Sequence, residues 1–165
     1  MYDIQRKKIL DATCGSRSIW FDKQNANTVY CDCRREEYIK SFGATGSTRH
    51  LIINPDLICD FRKLPFENNI FSLVVFDPPH IMNLKQNAWY RKAYGTLDDN
   101  WQDTIKRGFD ECMRVLKQDG VLVFKWAETS ISTPCLIDVI GERPLIGHRS
   151  GKKATTHWML FMKGA

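Results

Sequence analysis

The chain has no long apolar run. Its uninterrupted hydrophobic stretches reach four or five residues, as in Leu73–Phe76 and Val121–Phe124, whereas a membrane-spanning helix needs about 20; no membrane partner is expected. Arg6, Lys7 and Lys8 are basic, but no signal-peptide stretch precedes Asp11, so a cytoplasmic location is expected. None of the cysteines, at positions 14, 31, 33, 59, 112 and 135, forms a CxxC pair, and the histidines at 50, 80, 148 and 157 stand at no metal-ligand spacing. The expectation is therefore no metal site, with reduced thiols packing as small apolar residues. There is no G-x-G-x-x-G and no phosphate-loop lysine, which removes the main support for a dinucleotide, ATP or GTP site. Repeats, low-complexity segments and Pro/Gly/Ser-rich linkers are also missing.

What is there suits one globular domain. The chain has 165 residues, 43% hydrophobic and 12% aromatic, so residues 1–165 are read as a single domain with no room for a separate target-recognition domain. The net charge of +5 permits a polyanionic partner without requiring one. Part of the surplus lies late: Arg143, Arg149, Lys152, Lys153 and Lys163 face the single acid Glu142 between Gly141 and Ala165. That stretch is either a solvated edge or a nucleic-acid contact.

Apolar strand-like runs alternate with helical patterns, which argues for an α/β sheet. Lys8–Asp11, Thr28–Cys31 and Ile70–Phe76 read as strands; Leu51–Asn54 and Leu57–Cys59 are apolar pieces broken by Pro55, of which the second holds the third sheet strand. Val121–Trp126 is a buried strand, and Pro144–Gly147 with Thr156–Met162 forms a hairpin-like finish. Ser16–Lys23 reads as a short helix or turn, Arg34–Phe42 as a helix stopped by Gly43, and Thr133–Ile140 as a short helix. Leu84–Gly95 reads as a surface helix or an ordered loop. Trp101–Leu116 is the best helix: its apolar residues step by three and four, after cap candidates Asp98, Asp99 and Asn100.

Four acids, Asp11, Asp32, Asp60 and Asp77, each close an apolar run. In open parallel sheets the carboxyl ends of strands line the ligand crevice, so these acids would ring one pocket, unless each is simply a turn or cap residue. Asp11-Ala12-Thr13-Cys14-Gly15 is a single-glycine turn that lets backbone approach a ligand. Asp77-Pro78-Pro79-His80 is the more specific feature. Two prolines fix two φ angles and remove two N–H donors, leaving carbonyls and a carboxylate as an acceptor-only trap for an amino group, beside a ring able to stack. An ordinary loop start would use the same residues.

Together these segments resemble the class I S-adenosylmethionine-dependent methyltransferases, within them the amino-methyltransferases with an (Asp/Asn)-Pro-Pro-aromatic motif. The likeness rests on Ile9–Gly15, Val29–Asp32, Cys59-Asp60-Phe61, Phe71–His80 and Met113–Gly120; the short length also resembles small bacterial and phage forms. It implies a Rossmann-like, mostly parallel sheet with an antiparallel C-terminal strand. It implies S-adenosylmethionine as cofactor, bordered by Asp11, Ala12, Thr13, Cys14 and Gly15. Asp32 would bind the ribose hydroxyls, with Cys33 following it; Asp60 would take the adenine amino group, with Phe61 beside the ring. Asp77, Pro78, Pro79 and His80 would form the catalytic turn, Asp77 also bordering the cofactor. The first turn has fewer glycines than the family's, and position 80 is His where the family has Tyr, Phe or Trp.

The implied reaction is N-methylation of a base's exocyclic amino group, adenine favoured, in RNA or DNA. Lys85, Trp89, Tyr90, Arg91, Lys92 and Tyr94, with Arg149 and Lys152, would grip the polymer at the pocket mouth; the first group would otherwise be a lid. An amine on a small molecule or protein, and a non-catalytic cofactor-binding subunit, stay open, as do a homodimer and a partner subunit for target recognition.

Overall fold

The computed structural model describes residues 6–42, 47–150 and 155–165. Seven strands form one sheet in the order β5-β2-β1-β6-β7-β9-β8. They are β1 (Ile9–Asp11), β2 (Thr28–Asp32), β5 (Leu57–Ile58), β6 (Phe71–Phe76), β7 (Leu116–Ala127), β8 (Ile146–Ser150) and β9 (Thr156–Met162). The first five of that order run parallel, and β9 runs antiparallel to both its neighbours. The mostly parallel sheet with an antiparallel late strand is therefore as the sequence implied. Strand β7 is longer than its apolar pattern: Leu116 pairs with Phe71, and a register shift that includes Asp119 at φ 62° separates this pairing from the buried segment.

Alternation decides which face is buried. Leu10, Val74, Leu122 and Phe161 share one side by register, as do Phe76 and Phe124. They pack beneath two helices, α2 (Trp101–Val115) and α3 (Thr133–Ile140), whose Ile105, Phe109, Cys112, Leu136 and Ile140 complete the core. Helix α3 begins cleanly, with the Ser132 hydroxyl accepting from Cys135 N–H and Pro134 in the first turn; such caps contribute about 1 kcal/mol. Asn100 stands at the N-cap of α2 without a side-chain cap bond. On the opposite face the loop after β1 lays Arg17 over the Tyr30 ring, 3.7 Å from its centroid. Farther along that face Val121, Val123, Trp158, Leu160 and Met162 stay half-buried.

Ser16–Lys23 forms turns, one of the two forms expected. One expectation fails between β1 and β5. Arg34–Phe42, expected as a helix, is instead strand β3 (Glu36–Phe42), paired antiparallel with β4 (Ser47–Ile53) in a separate two-stranded ribbon. Leu51–Ile53 therefore belongs to that ribbon, and Leu57–Ile58 serves the main sheet, as expected. The physical reason is packing. Leu51 and Ile53, from one ribbon face, bury against Ala93 of the short helix α1 (Trp89–Tyr94), with Tyr38 and Trp89 beside them. Alternation thus outweighs the helix reading.

Candidate active site

The carboxyl ends of β1, β2, β5 and β6 open into one cavity of about 410 Å³, lined among others by Thr13, Gly15, Asp32, Asp60, Asp77 and His80. Ligand sites of small molecules span roughly 300–1,000 Å³. Helix α1 and its exit, including Arg91, Ala93 and Tyr94, close the far wall.

Gly15 takes a left-handed φ of 48°, and its N–H donates to Asp32 Oδ2 at 3.1 Å. This bond draws the first turn and the end of β2 together at the cavity wall. Gly95 matters for a different reason: a Cβ there would meet Pro79 Cγ at 2.8 Å, so the exit of α1 seats directly on the proline turn. The Asp77 N–H is held by the Thr13 hydroxyl at 2.8 Å.

Three of the acids that line the cavity, Asp32, Asp60 and Asp77, are each paired with a cation. Asp32 Oδ1 accepts from Arg34 N–H at 3.0 Å and from Arg34 Nε at 3.2 Å. Asp60 repeats the device: it accepts from Arg62 N–H at 2.8 Å and from Arg62 Nη2 at 2.7 Å. The Arg62 contact holds the Asp60 carboxyl below its ordinary range, against the opposing pull of burial. Asp77 Oδ2 binds Lys125 Nζ at 2.6 Å, while its Oδ1 accepts no hydrogen bond among the described residues. The repeated Asp-x-Arg spacing at 32–34 and 60–62 was the sequence signal for two of these partners. Lys125 had none, because only the β6–β7 register brings it beside Asp77.

Asp11 departs from its expected place. Its carboxyl is buried, accepts from Trp20 Nε1 at 2.6 Å and from Thr13 N–H at 3.1 Å, and does not line the cavity. Burial pushes its pKa up to about 7, against the bonds from Trp20 and Thr13. Ala12, Cys14, Cys33, Phe61, Pro78 and Pro79 do line it. His80 lies at the rim of the core, its ring edge-on to Trp126 at 6.3 Å between centroids. Its Nδ1 is buried and finds no hydrogen-bond partner among the described residues. Burial holds the imidazolium below its ordinary range; Asp77 opposes this and Lys125 reinforces it.

Of the expected polymer-gripping residues, Arg91 and Tyr94 line the cavity, whereas Lys85, Trp89, Tyr90 and Lys92 do not. Arg149 is turned to Glu128 at 2.8 Å and stands outside the cavity wall. Lys152 lies outside the described residues. No group of metal-ligating side chains occurs among the described residues.

The residues present fit an adenosyl cofactor. A carboxylate offers about four lone-pair positions; the bonds to Gly15 and Arg34 leave Asp32 Oδ2 one position for a ribose hydroxyl, and displacing Arg34 Nε would free a second. Phe61 supplies an apolar ring next to Asp60.

The strand order and the antiparallel β9 match solved methyltransferase structures along nearly the whole chain. N-methyltransferase NodS from Bradyrhizobium japonicum WM9 aligns at 11% identity, TM-score 0.56, over 96% of this chain and 86% of that one. The fold is that of the class I methyltransferases. An rRNA methylase from Streptococcus thermophilus aligns at 12% identity, TM-score 0.54, over 98% of this chain and 93% of its own. The PH0226 protein from Pyrococcus horikoshii OT3 aligns at 15% identity, TM-score 0.57, over 96% and 82%. No protein-family model matches the sequence, nor does any curated protein.

Proposed function

We propose that this methyltransferase-fold chain is an S-adenosylmethionine-dependent N-methyltransferase acting on the exocyclic amino group of a nucleic-acid base, adenine favoured. One observation carries the reading. Asp32, Asp60 and the Asp77–His80 turn come from the ends of three parallel strands and face one cavity. Among the structures sharing the fold, one is named an N-methyltransferase and another an rRNA methylase, which accords with this chemistry.

The cofactor, when bound, supplies an electrophilic methyl group on a sulfonium. The protein's task is then to bind and orient. Asp32 accepts from the ribose and Asp60 from the adenine amino group, with Phe61 against the ring. Asp77 Oδ1 and the Pro78 carbonyl accept the N–H hydrogens of the incoming amine, drawing its nitrogen toward a pyramidal, nucleophilic form. His80, held neutral by burial, stacks on the base. No base is needed before transfer, and positioning supplies much of the acceleration. In a duplex the target base would have to leave its stack.

A second reading, a cofactor-binding subunit that does not catalyse, draws on the Lys125–Asp77 ion pair, which occupies one oxygen of the amine-orienting carboxylate. Titration calorimetry with S-adenosylmethionine tests what the two readings share. The parent should bind, and Asp32→Ala should weaken binding by about 1–3 kcal/mol, the cost of losing hydrogen bonds to a charged acceptor. Absence of binding to the parent would refute both.

A further inference from the structure

The β3–β4 ribbon is the part of the molecule that the cavity chemistry leaves unused. It pairs seven residues against seven, from Glu36↔Ile53 to Phe42↔Ser47, and it seats on α1 at the cavity wall through Leu51, Ile53 and Ala93. The segments around it and α1 are basic, although the two strands themselves carry Lys40 and Arg49 against Glu36 and Glu37. Residues 34–42, 47–53 and 84–95 carry seven basic side chains (Arg34, Arg35, Lys40, Arg49, Lys85, Arg91, Lys92) against Glu36 and Glu37. Their surplus of +5 equals that of the whole chain, so the remainder is neutral.

Register sets Lys40 opposite Arg49 on the ribbon, both exposed. Aromatic rings interleave with these cations. Lys40 Nζ stands 5.7 Å from the Trp89 ring centroid and Lys92 Nζ 4.8 Å from that of Tyr38. On α1, Tyr90 and Tyr94 lie one turn apart, 59% and 50% exposed, with ring centroids 6.1 Å apart and planes tilted by 33°. Tyr94 also lines the cavity. The pair therefore leads from open solvent to the rim of the site.

We propose that the β3–β4 ribbon and α1 form one lobe that grips the phosphodiester chain of a single-stranded nucleic acid, with bases stacking on Tyr90 and Tyr94 on the way to the cavity. This rests on reading the cavity as a site for a base amine. Cations tracking a backbone, with rings to receive bases, are the means by which single strands are held without sequence preference. Duplex bases are already stacked on one another and would leave both rings unused. The polymer contact then falls on Lys40, Arg49 and Tyr94, the last of which reaches the cavity.

The test is fluorescence anisotropy of labelled single-stranded RNA and DNA of about 15 nucleotides, and of a duplex of equal length, across a salt series. The parent should prefer single strands. The double variant Lys40→Glu/Arg49→Glu should lose about tenfold or more in affinity and flatten the log–log salt slope by roughly 1.4, the share of two phosphate contacts. Tyr94→Ala should lose roughly fivefold or more. These positions are exposed, and circular dichroism matching the parent establishes that each variant is folded. An unchanged salt slope in the double variant, or tighter binding of duplex, would overturn the lobe. So would failure of the parent to bind any strand while calorimetry still shows cofactor binding, which would leave the cofactor reading intact. Charge-dependent strand binding without cofactor binding would instead uphold the lobe and refute the reaction.

Discussion

At the scale of single residues, His80 and Asp11 make opposite demands on their surroundings. Burial favours the neutral form of His80, holding its pKa below the ordinary range, and its buried Nδ1 has no hydrogen-bond partner among the described residues. A ring that only stacks is replaceable by another ring. His80→Phe should keep or raise single-turnover methyl transfer, and should raise the melting temperature by removing an unsatisfied polar atom. A loss of about a hundredfold with normal cofactor affinity would show that the imidazole moves a proton. Asp11 is buried with its pKa raised to about 7, well above the value near 3.9 of an unfolded chain. The folded state thus binds more protons than the unfolded state between these values. Stability is full below about pH 4, falls as pH rises through about 7, and levels off above it. Asp11→Asn should abolish that slope in urea melts between pH 4 and 8, on the order of a few kcal/mol across the range. A slope unchanged in the variant would place the titration elsewhere.

At the scale of elements, helix α2 positions the Phe61 wall of the cavity through a glycine. A Cβ on Gly108 would stand 2.6 Å from Phe61 Cδ2 and 2.7 Å from Phe76 Cζ. Phe76 is fully buried and cannot yield, so Phe61 must shift into the cavity it lines. Gly→Ala inside a helix ordinarily gains about 1 kcal/mol; here Gly108→Ala should instead cost about 1–3 kcal/mol of stability, as overpacking does, and weaken cofactor binding. A gain in urea melts would contradict the close packing. The Phe61 loop is further tied to α2, since Leu64 N–H donates to Glu111 Oε2 at 2.7 Å and Arg114 Nη2 to the Leu64 carbonyl at 3.0 Å. Much of this scale is readable from sequence. The parallel strands announce themselves as short apolar runs closed by acids, and α2 and α3 by periodicity and caps. The ribbon does not. Glu36–Phe42 carries charges and one tyrosine in an order that suits an amphipathic helix as well as an alternating strand, and only its partner 47–53, with Ala93 beneath, decides between them.

At the scale of the whole molecule, the topology brings distant segments to one place, and here sequence and structure agree on the acids more than on their partners. Asp32, Asp60 and Asp77 could be read as a ring from their position at the ends of apolar runs. Tyr94 was expected at the pocket mouth and lines the cavity, whereas Lys125 was hidden because its place depends on strand register. Asp11 looked equivalent to the others, yet the loop carrying Trp20 folds over it and removes it from the cavity. The charge distribution likewise has no local signature, since the late basic stretch drew attention while residues 34–42, 47–53 and 84–95 carry seven basic side chains against two acids. The central claim is that this cavity moves a methyl group to a nucleic-acid amine, and transfer of labelled methyl from S-adenosylmethionine to separated RNA, DNA, protein and metabolite fractions tests it most directly. The account predicts label on adenine in RNA or DNA with the parent and none with Asp77→Ala, whose cofactor affinity stays near the parent's. Label confined to protein or metabolites, or undiminished transfer by Asp77→Ala, would contradict it.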